Sequence, residues 1–412
     1  MVIHYRLKNF ILSTILLLTL CFGFAFNLTP VSAATIVVTT TVDENVNNSE
    51  CSLREALWAA RFDIAHYGCK AGSGADIISL PSGTYTLSKA LTYIYTEITI
   101  NGEDPSTTII EASGCNPVAE TCEHDYNVFT VWDTGNLTLN NLTIRHGNGA
   151  NNGGGILNYI SGNLTINNCI FTENKGRQGG GVINYGDDST LTISDSTFMQ
   201  NETSANTSGN GGAIYNEGEL IITDSTLSSN SAYVFGGGIY NYGGTVTLTN
   251  STLSSNAAES NGGGIYNYEG TATLTNSTLS ENRGYSGGGI YNRSGATINL
   301  TNIIIANSIL DGPGNDCANY GTIGTNISNL VEDGSCSAAL NGDPLLGNLT
   351  DNGGPTETHA LLFGSPAIDA ANTIAWLSTD QRGVSRPQGA AYDIGAYEST
   401  FIYGVFVPLI LK

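Results

Sequence analysis

Short runs of alternating apolar and polar residues recur through the middle of the chain, and none has the spacing of a helical stripe. Residues 245–249 read Thr-Val-Thr-Leu-Thr and residues 271–275 read Thr-Ala-Thr-Leu-Thr. This period of two sends alternate side chains to opposite faces of a strand. Two shorter β-prone pieces flank each run: Ile-Tyr-Asn before it, as at 239–241, and Ser-Thr-Leu-Ser after it, as at 251–254. Gly and Asn separate the pieces, and both tolerate the positive φ angles that sharp corners need. The whole set repeats. The residue that follows the glycines is Ile156, Val182, Ile214, Ile239, Ile265 and Ile290, at intervals of 26, 32, 25, 26 and 25. A period of roughly 20–50 residues marks stacked units. Three short strands and three corners in a coil of about 26 residues predict an all-β parallel β-helix, a solenoid. A leucine-rich or ankyrin repeat would need a helical half, and a propeller blade roughly 40 residues or more.

Aligned on that period, the coils form columns. Leu139, Ile166, Ile193, Ile222, Leu248, Leu274 and Leu300 make one apolar column. Phe171, Phe198, Leu227, Leu253, Leu279 and Ile304 make a second, and both are predicted to fill the tube. Asn174, Asn201, Asn230, Asn256, Asn282 and Asn307 form a polar column, as do Asn158, Asn184, Asn216, Asn241, Asn267 and Asn292. A third mixes Asn with Asp: Asn141, Asn168, Asp195, Asp224, Asn250, Asn276 and Asn302. Asn side chains stacked about 4.8 Å apart hydrogen-bond along a column and satisfy corner backbone groups, so these columns read as structural. The glycines read as corners too, since no helix follows them to form a phosphate cradle.

A stacked tube leaves raw strand edges at both ends, which must be covered. Residues 51–60 supply the best helix, with Ser52 as N-cap and Glu55 three places on completing a capping box. Leu53, Leu57 and Trp58 share its apolar face. The helix, within residues 34–75, is predicted to plug a tube that runs from 76 to 310, with residues 77–87 as the first irregular coil. Residues 311–398 lose the period and read as a loop-rich C-terminal cap. There Asp380, Arg382, Arg386, Asp393 and Glu398 are expected to form an ion network that folds the segment over the last coil, the alternative being a catalytic role. The apolar tail, 399–412, is too short to cross a membrane and reads as a strand or an attachment signal.

Composition adds the compartment. Residues 1–33 combine Arg6 and Lys8, an apolar stretch from Phe10 to Phe26, and a small-residue site at Val31 to Ala33. They are expected to be a cleaved secretion signal, the alternative being an uncleaved anchor. The net charge is −22, or −24 without that segment, which leaves 12 Lys and Arg against 36 Asp and Glu. Such a surface repels nucleic acid and anionic lipid. Only 12% of residues are charged, so most of the exterior must be Asn, Thr, Ser, Gly and Tyr, able to hydrogen-bond and stack on sugars. Of eight Cys, Cys21 lies in the leader. Three disulfides are predicted from proximity in sequence: Cys51 with Cys69, Cys115 with Cys122, and Cys317 with Cys336. Cys169 stands in a column otherwise held by Ser196, Ser225, Ser251 and Ser277, and is expected to be a packed thiol. No zinc spacing occurs, and neither a metal nor a cofactor is expected.

Several of these residues resemble a known group of bacterial surface proteins. Cys51 to Ala56 spells the motif of the CSLREA domain. Gly211-Gly212-Ala213-Ile214, Phe171-Thr172-Glu173-Asn174 and Phe198-Met199-Gln200-Asn201 resemble the repeats of polymorphic outer membrane proteins, although Leu227, Leu253 and Leu279 replace Phe in later coils. Asp380 to Gly383 with Asp393 to Glu398 resembles the choice-of-anchor segment that ends many secreted β-helix proteins. The resemblance implies a right-handed parallel β-helix, a secreted or cell-surface location, and adhesion for some members.

Two functional readings follow. Tyr215, Tyr240, Tyr266 and Tyr291 hold one position in four successive coils. As outward rings about 5 Å apart they would suit contact with a polysaccharide or with a surface protein of a host or neighbouring cell. As inward rings they would stabilise the stack, but alternation favours outward, since the neighbouring Ile is the better core residue. The rival is a polysaccharide lyase or hydrolase, which needs carboxylates and a base converging on one face. Its candidates are Glu217, Glu269 and Arg293, at differing offsets from the Ile-Tyr-Asn strands. Adhesion or binding without catalysis is the expectation, with a purely structural spacer or surface-layer role as a further alternative.

Overall fold

The computed structural model describes residues 33–113, 116, 118, 124–149, 153–204, 208–374 and 377–400. They wind into a right-handed parallel β-solenoid of about nine turns. Four parallel sheets run along it. The first has eleven strands, from Thr35–Val37 to Thr322–Ile327, and the second eight, from Phe129–Trp132 to Cys317–Asn319. The third has ten, from Gly83–Thr86 to Leu330–Val331. The fourth has seven strands of two residues each, from Asn148–Gly149 to Ile309–Leu310. The three expected strands per coil are thus joined by a fourth, such as Lys175–Gly176 or Ala257–Ala258, too short to show alternation.

Coils stack residue on residue. Leu139, Ile166, Ile193, Ile222, Leu248, Leu274 and Leu300 pair in succession and are at most 1% exposed. The second apolar column runs from Phe171 to Leu279 as expected, with Phe171 and Phe198 stacked at 4.6 Å, but it ends at Ile305. Ile304, the expected last member, pairs with Thr278 and faces outward. Three consecutive isoleucines leave the phase open in the sequence, and strand pairing settles it. The same one-residue slip removes Asn307 from its column. Asn307 is exposed and takes the left-handed corner held one coil earlier by Glu281, with φ of 56° and 60°. Ser308 then follows at the column position, since Ile309 pairs with Arg283.

The remaining asparagines do what their stacking requires. Asn158, Asn184, Asn216, Asn241, Asn267 and Asn292 are fully buried, and each Nδ2 donates to the Oδ1 one coil on at 2.7–2.9 Å, the last reaching Asn319. In the other column, Asn230 Nδ2 donates to Phe198 O at 2.9 Å and to Asn256 Oδ1 at 2.9 Å. Its Oδ1 accepts the backbone N–H and the Nδ2 of Asn201, each at 3.0 Å. These bonds satisfy backbone groups that the bends would leave unpaired inside the tube. The mixed Asn/Asp column sits at corners with φ of 46–57°, a region that Asn and Asp tolerate better than most residues.

Helix α1, Leu53–Phe62, covers the first coil. Ser52 Oγ accepts the Glu55 N–H at 3.2 Å and Glu55 Oε2 accepts the Ser52 N–H at 3.0 Å, completing the capping box. Leu53, Ala56, Leu57 and Ala60 are buried, whereas Trp58 is half-buried and stacks on His66 at 4.1 Å. The first rung is Thr35–Val37, ahead of the helix, where the tube was expected to begin at residue 76. The Cys51–Cys69 and Cys317–Cys336 disulfides pin the two ends. Cys169 is unpaired, and burial pushes its thiol up to about 12. The predicted Cys115–Cys122 pairing, the leader through residue 32 and the tail from residue 401 lie outside the described residues.

The tube, expected to end at residue 310, continues through Cys317–Asn319, Thr322–Ile327 and Leu330–Val331. Cys336 and Ala338 then pack against its core, and the rest of the C-terminal segment lies along the outer face of the third sheet. Gln381 Nε2 donates to Thr226 Oγ1 and Thr356 Oγ1 at 2.8 Å, and Thr252 Oγ1 donates to Gln381 Oε1 at 2.7 Å. His359 Nε2 lies 2.9 Å from Ser254 Oγ, and Ala396 donates its N–H to Thr278 Oγ1. Ile304, Leu361, Ala367 and Ile394 fill the apolar part of this seam. The expected ion network holds the segment together. Arg382 pairs with Asp380 at 2.6 Å, and Arg386 with Glu398 at 3.1 Å, while both carboxylates also accept backbone N–H groups.

Removing one column side chain should test how much the ladders stabilise. Asn230→Ala leaves Phe198 O, the two Asn201 donors and Asn256 Oδ1 each short of a partner. At about 1–3 kcal/mol per unsatisfied buried group, partly relieved by relaxation, we expect a loss of about 3 kcal/mol. It should be read as a lower denaturant midpoint and faster amide exchange in the flanking coils. An unchanged midpoint would mean that the column is dispensable.

Candidate functional site

Alternation in the second sheet builds an aromatic wall outside the tube. Ile156, Val182, Ile214, Ile239, Ile265 and Ile290 point inward and are fully buried. The next residue points out, the Asn after it in, and the one after that out again. Two outer columns result. The inner-lying one is Leu157, Ile183, Tyr215, Tyr240, Tyr266 and Tyr291. Beside it runs Trp132, Tyr159, Tyr185, Glu217, Tyr242, Tyr268, Arg293 and Tyr320.

The four tyrosines singled out by the repeat do lie outside the core, but they are not the exposed ones. Tyr215, Tyr240 and Tyr266 are 5–6% exposed. They stack on one another at 5.3 and 5.4 Å, and Tyr266 stacks on Tyr291 at 4.9 Å. They form a second, external apolar cluster with Leu157, Ile183 and Phe235. Burial pushes the Tyr266 hydroxyl up to about 12, and those of Tyr215 and Tyr240 further. Solvent meets the adjacent column instead. Tyr185, Tyr242 and Tyr320 are 39, 44 and 63% exposed, and Trp132, Tyr159 and Tyr268 in the same column are half-buried. The signal for this column was present as a second Tyr two places on, in Ile-Tyr-Asn-Tyr at 239–242 and 265–268. A cavity of about 240 Å³ opens at its N-terminal end, lined by Tyr93, Asn127, Trp132 and Leu157. Another of about 460 Å³, lined by Asn319 and Tyr320, lies at its C-terminal end.

The candidate catalytic residues all touch this face without converging. Glu217 Oε1 accepts the Tyr215 hydroxyl at 3.0 Å, and Oε2 accepts the Gly186 N–H at 3.1 Å. Burial raises its pKa above the usual carboxylate range, against the lowering effect of those bonds. Arg293 lies three rungs further on, roughly 14 Å at the strand spacing, with its guanidinium carbon 4.2 Å from the Tyr268 ring centre. Glu269 sits between them along the axis, at a corner with φ of 57°. A general acid and base acting on one bond need to be within hydrogen-bond reach of it, and this spread does not provide that. Among the described residues, no group of three or more His, Cys, Asp or Glu is placed to hold a metal ion.

Residues 195–217 match the Chlamydia polymorphic membrane protein repeat. This match covers a single coil and agrees with the repeats read from the sequence. No curated protein matches the chain. The crystal structure of pectate lyase Pel9A is similar in shape, with a TM-score of 0.48 and 14% sequence identity, over 90% of this chain and 97% of that one. Among the described residues, no helix is long and apolar enough to cross a membrane.

One pair of aligned carboxylates remains, Asp195 and Asp224 in the corner column. Burial lifts Asp224 to about 6, and Asp195 and Asp380 add to the rise. An acid whose folded pKa exceeds its unfolded value near 3.9 holds its proton more tightly when folded. This contribution to stability is therefore fullest below about pH 4 and is lost as pH rises through 6. Asp224→Asn, which restores the residue of the neighbouring coils, should melt above the parent protein at pH 7–8, with the gap closing towards pH 4. A gap that does not change with pH would contradict the burial of a titrating carboxyl.

Proposed function

We propose that this is a secreted or cell-surface protein that acts in adhesion, binding a glycan or a surface protein of another cell through the aromatic face of its solenoid. The row of exposed rings at Tyr185, Tyr242 and Tyr320, continued by half-buried Trp132, Tyr159 and Tyr268, carries this reading. Apolar surface scattered singly needs no explanation, but a straight row of amphipathic rings along a rigid element, broken only at Glu217 and Arg293, marks a contact site. Two disulfides fit an oxidising compartment. The charge of −22 argues against nucleic acid and anionic lipid as partners. The resemblance of residues 51–56 to the CSLREA motif, and of 380–383 and 393–398 to a choice-of-anchor segment, adds to the surface location. In this reading residues 1–33 are the leader and helix α1 is the cap. The solenoid that begins at Thr35 and ends at Val331, Tyr320 included, is the binding body, and residues 332–398 are the segment ahead of a variable tail. No cofactor or metal is invoked.

The second reading, a polysaccharide lyase or hydrolase, is favoured by one observation, a carboxyl with raised pKa on an open face at Glu217. Its weakness is the distance to Arg293.

Alanine replacement separates these roles. Tyr242→Ala with Tyr268→Ala should abolish adhesion while the melting temperature moves little. Tyr240→Ala, which removes a buried ring, should instead lower stability by about 3 kcal/mol. Adhesion that survives the double replacement would move the contact surface elsewhere. Incubation with calcium and a panel of acidic and neutral polysaccharides should release no shortened or unsaturated sugars. Release would transfer the reading to the lyase and to Glu217, Glu269 and Arg293.

A further inference from the structure

Stacked rings hide their faces and show solvent their edges. In the outer column Trp132 stacks on Tyr159 at 4.6 Å, Tyr159 on Tyr185 at 5.1 Å, and Tyr242 on Tyr268 at 5.0 Å. A ring face opens only where the next rung lacks a ring. This happens at Glu217, between Tyr185 and Tyr242, and at Arg293, between Tyr268 and Tyr320.

The chain fills the second gap itself, since the Arg293 guanidinium lies over the Tyr268 ring at 4.2 Å. The first gap also lies between two tyrosines of the column, with the Tyr215 ring 6.5 Å from Tyr242 beside it and a short side chain at its base. Tyr185 and Tyr242 are two rungs apart, roughly 10 Å along the axis. Glu217 is drawn down to the floor by the Tyr215 hydroxyl and the Gly186 N–H. Tyr185 stacks on Tyr159, and among the described residues no ring or cation covers its opposite face.

We propose that the gap over Glu217 binds the guanidinium of an arginine side chain presented by a partner protein. The proposal rests on the aromatic face being the contact surface and names what one rung of that face recognises. A planar cation gains from a π face on either side. The lone pairs of the Glu217 carboxylate that are not used at the floor accept its N–H donors as charge-assisted bonds. The Tyr268–Arg293 contact is the internal template for this arrangement, and a net charge of −22 favours a basic partner. A neutral sugar would leave the carboxylate without a counter-charge, and a lysine ammonium lacks the flat shape that the stacked walls match.

The test titrates the full chain with a short blocked peptide carrying one arginine between glycines, and with the same peptide carrying citrulline, which keeps the shape and loses the charge. We expect the citrulline peptide to bind at least about tenfold more weakly, about 1.4 kcal/mol, and Glu217→Gln to bring the arginine peptide down to that level. Glu217→Arg should fill the gap from within, as Arg293 does, and abolish peptide binding. The far-ultraviolet circular dichroism of the folded solenoid should be retained, with a lower melting temperature, because the Tyr215 hydroxyl and the Gly186 N–H lose their acceptor. Equal binding of the two peptides, or full binding by Glu217→Gln, overturns the proposal. If either occurs while Tyr242→Ala with Tyr268→Ala still abolishes adhesion, the gap alone is wrong. If the arginine peptide is selected but adhesion survives that double replacement, the gap stands and the wider contact reading falls.

Discussion

A slip of one residue between two coils would turn every inward side chain outward, because side-chain direction alternates with a period of two. The buried asparagine columns are what forbid that slip. Each Asn needs an Asn or a corner carbonyl at one position in the next coil, and a shifted partner leaves buried amides without acceptors. Apolar columns are more tolerant, since Leu, Ile and Phe replace one another along them. Register is therefore fixed by polar groups and volume is filled by apolar ones. Everything on the outside inherits the same register, so any chemistry there is also arranged in columns.

That inheritance shapes the aromatic face. Two tyrosines placed two residues apart in successive coils generate two adjacent stacks without further specification. The first stack is shielded by the second and stiffens the sheet. The second stack, held at about one strand spacing, offers edges and hydroxyls along its length. Variation enters only by substitution at a rung, and Glu217 and Arg293 are two such substitutions with opposite charge. Both occur in the exposed stack, where a change of side chain does not disturb the core.

The sequence carried the coil period, the inward columns, the helix cap and its disulfide, because each depends on local spacing repeated many times. It was silent where repetition stops. Ile303, Ile304 and Ile305 show no alternation, so the phase of the last apolar column could not be read, and Asn307 took a column position that belongs to Ser308. Strands of two residues carry no pattern. The burial of Tyr240 and Tyr266 depends on neighbours in the adjacent stack, which a single alignment of Ile-Tyr-Asn does not weigh. The path of residues 344–399 along the third sheet is set by contacts such as Gln381 with Thr226 and Thr252, about 130 to 155 positions apart, and no local signal encodes it.

This path also narrows where a partner can bind. On the third sheet, Thr226, Ser254 and Thr278 point outward yet are at most 1% exposed, because the C-terminal segment lies on them. The fourth sheet carries the Arg283–Asp311 ion pair and an open hollow of about 480 Å³ beside Ser231, Ala257 and Glu259, but no row of stacked rings among the described residues. The first sheet offers rows of Thr and Asn, and several of these already bond to one another, as Asn167 does with Asn140 and Ser194. The second sheet alone combines exposed rings, a half-buried carboxylate, a guanidinium and cavities at both ends of one straight row. With the third face covered from within the chain, contact is directed to the opposite side of the tube. The segment read as a cap thus limits which surface of the solenoid is left to act.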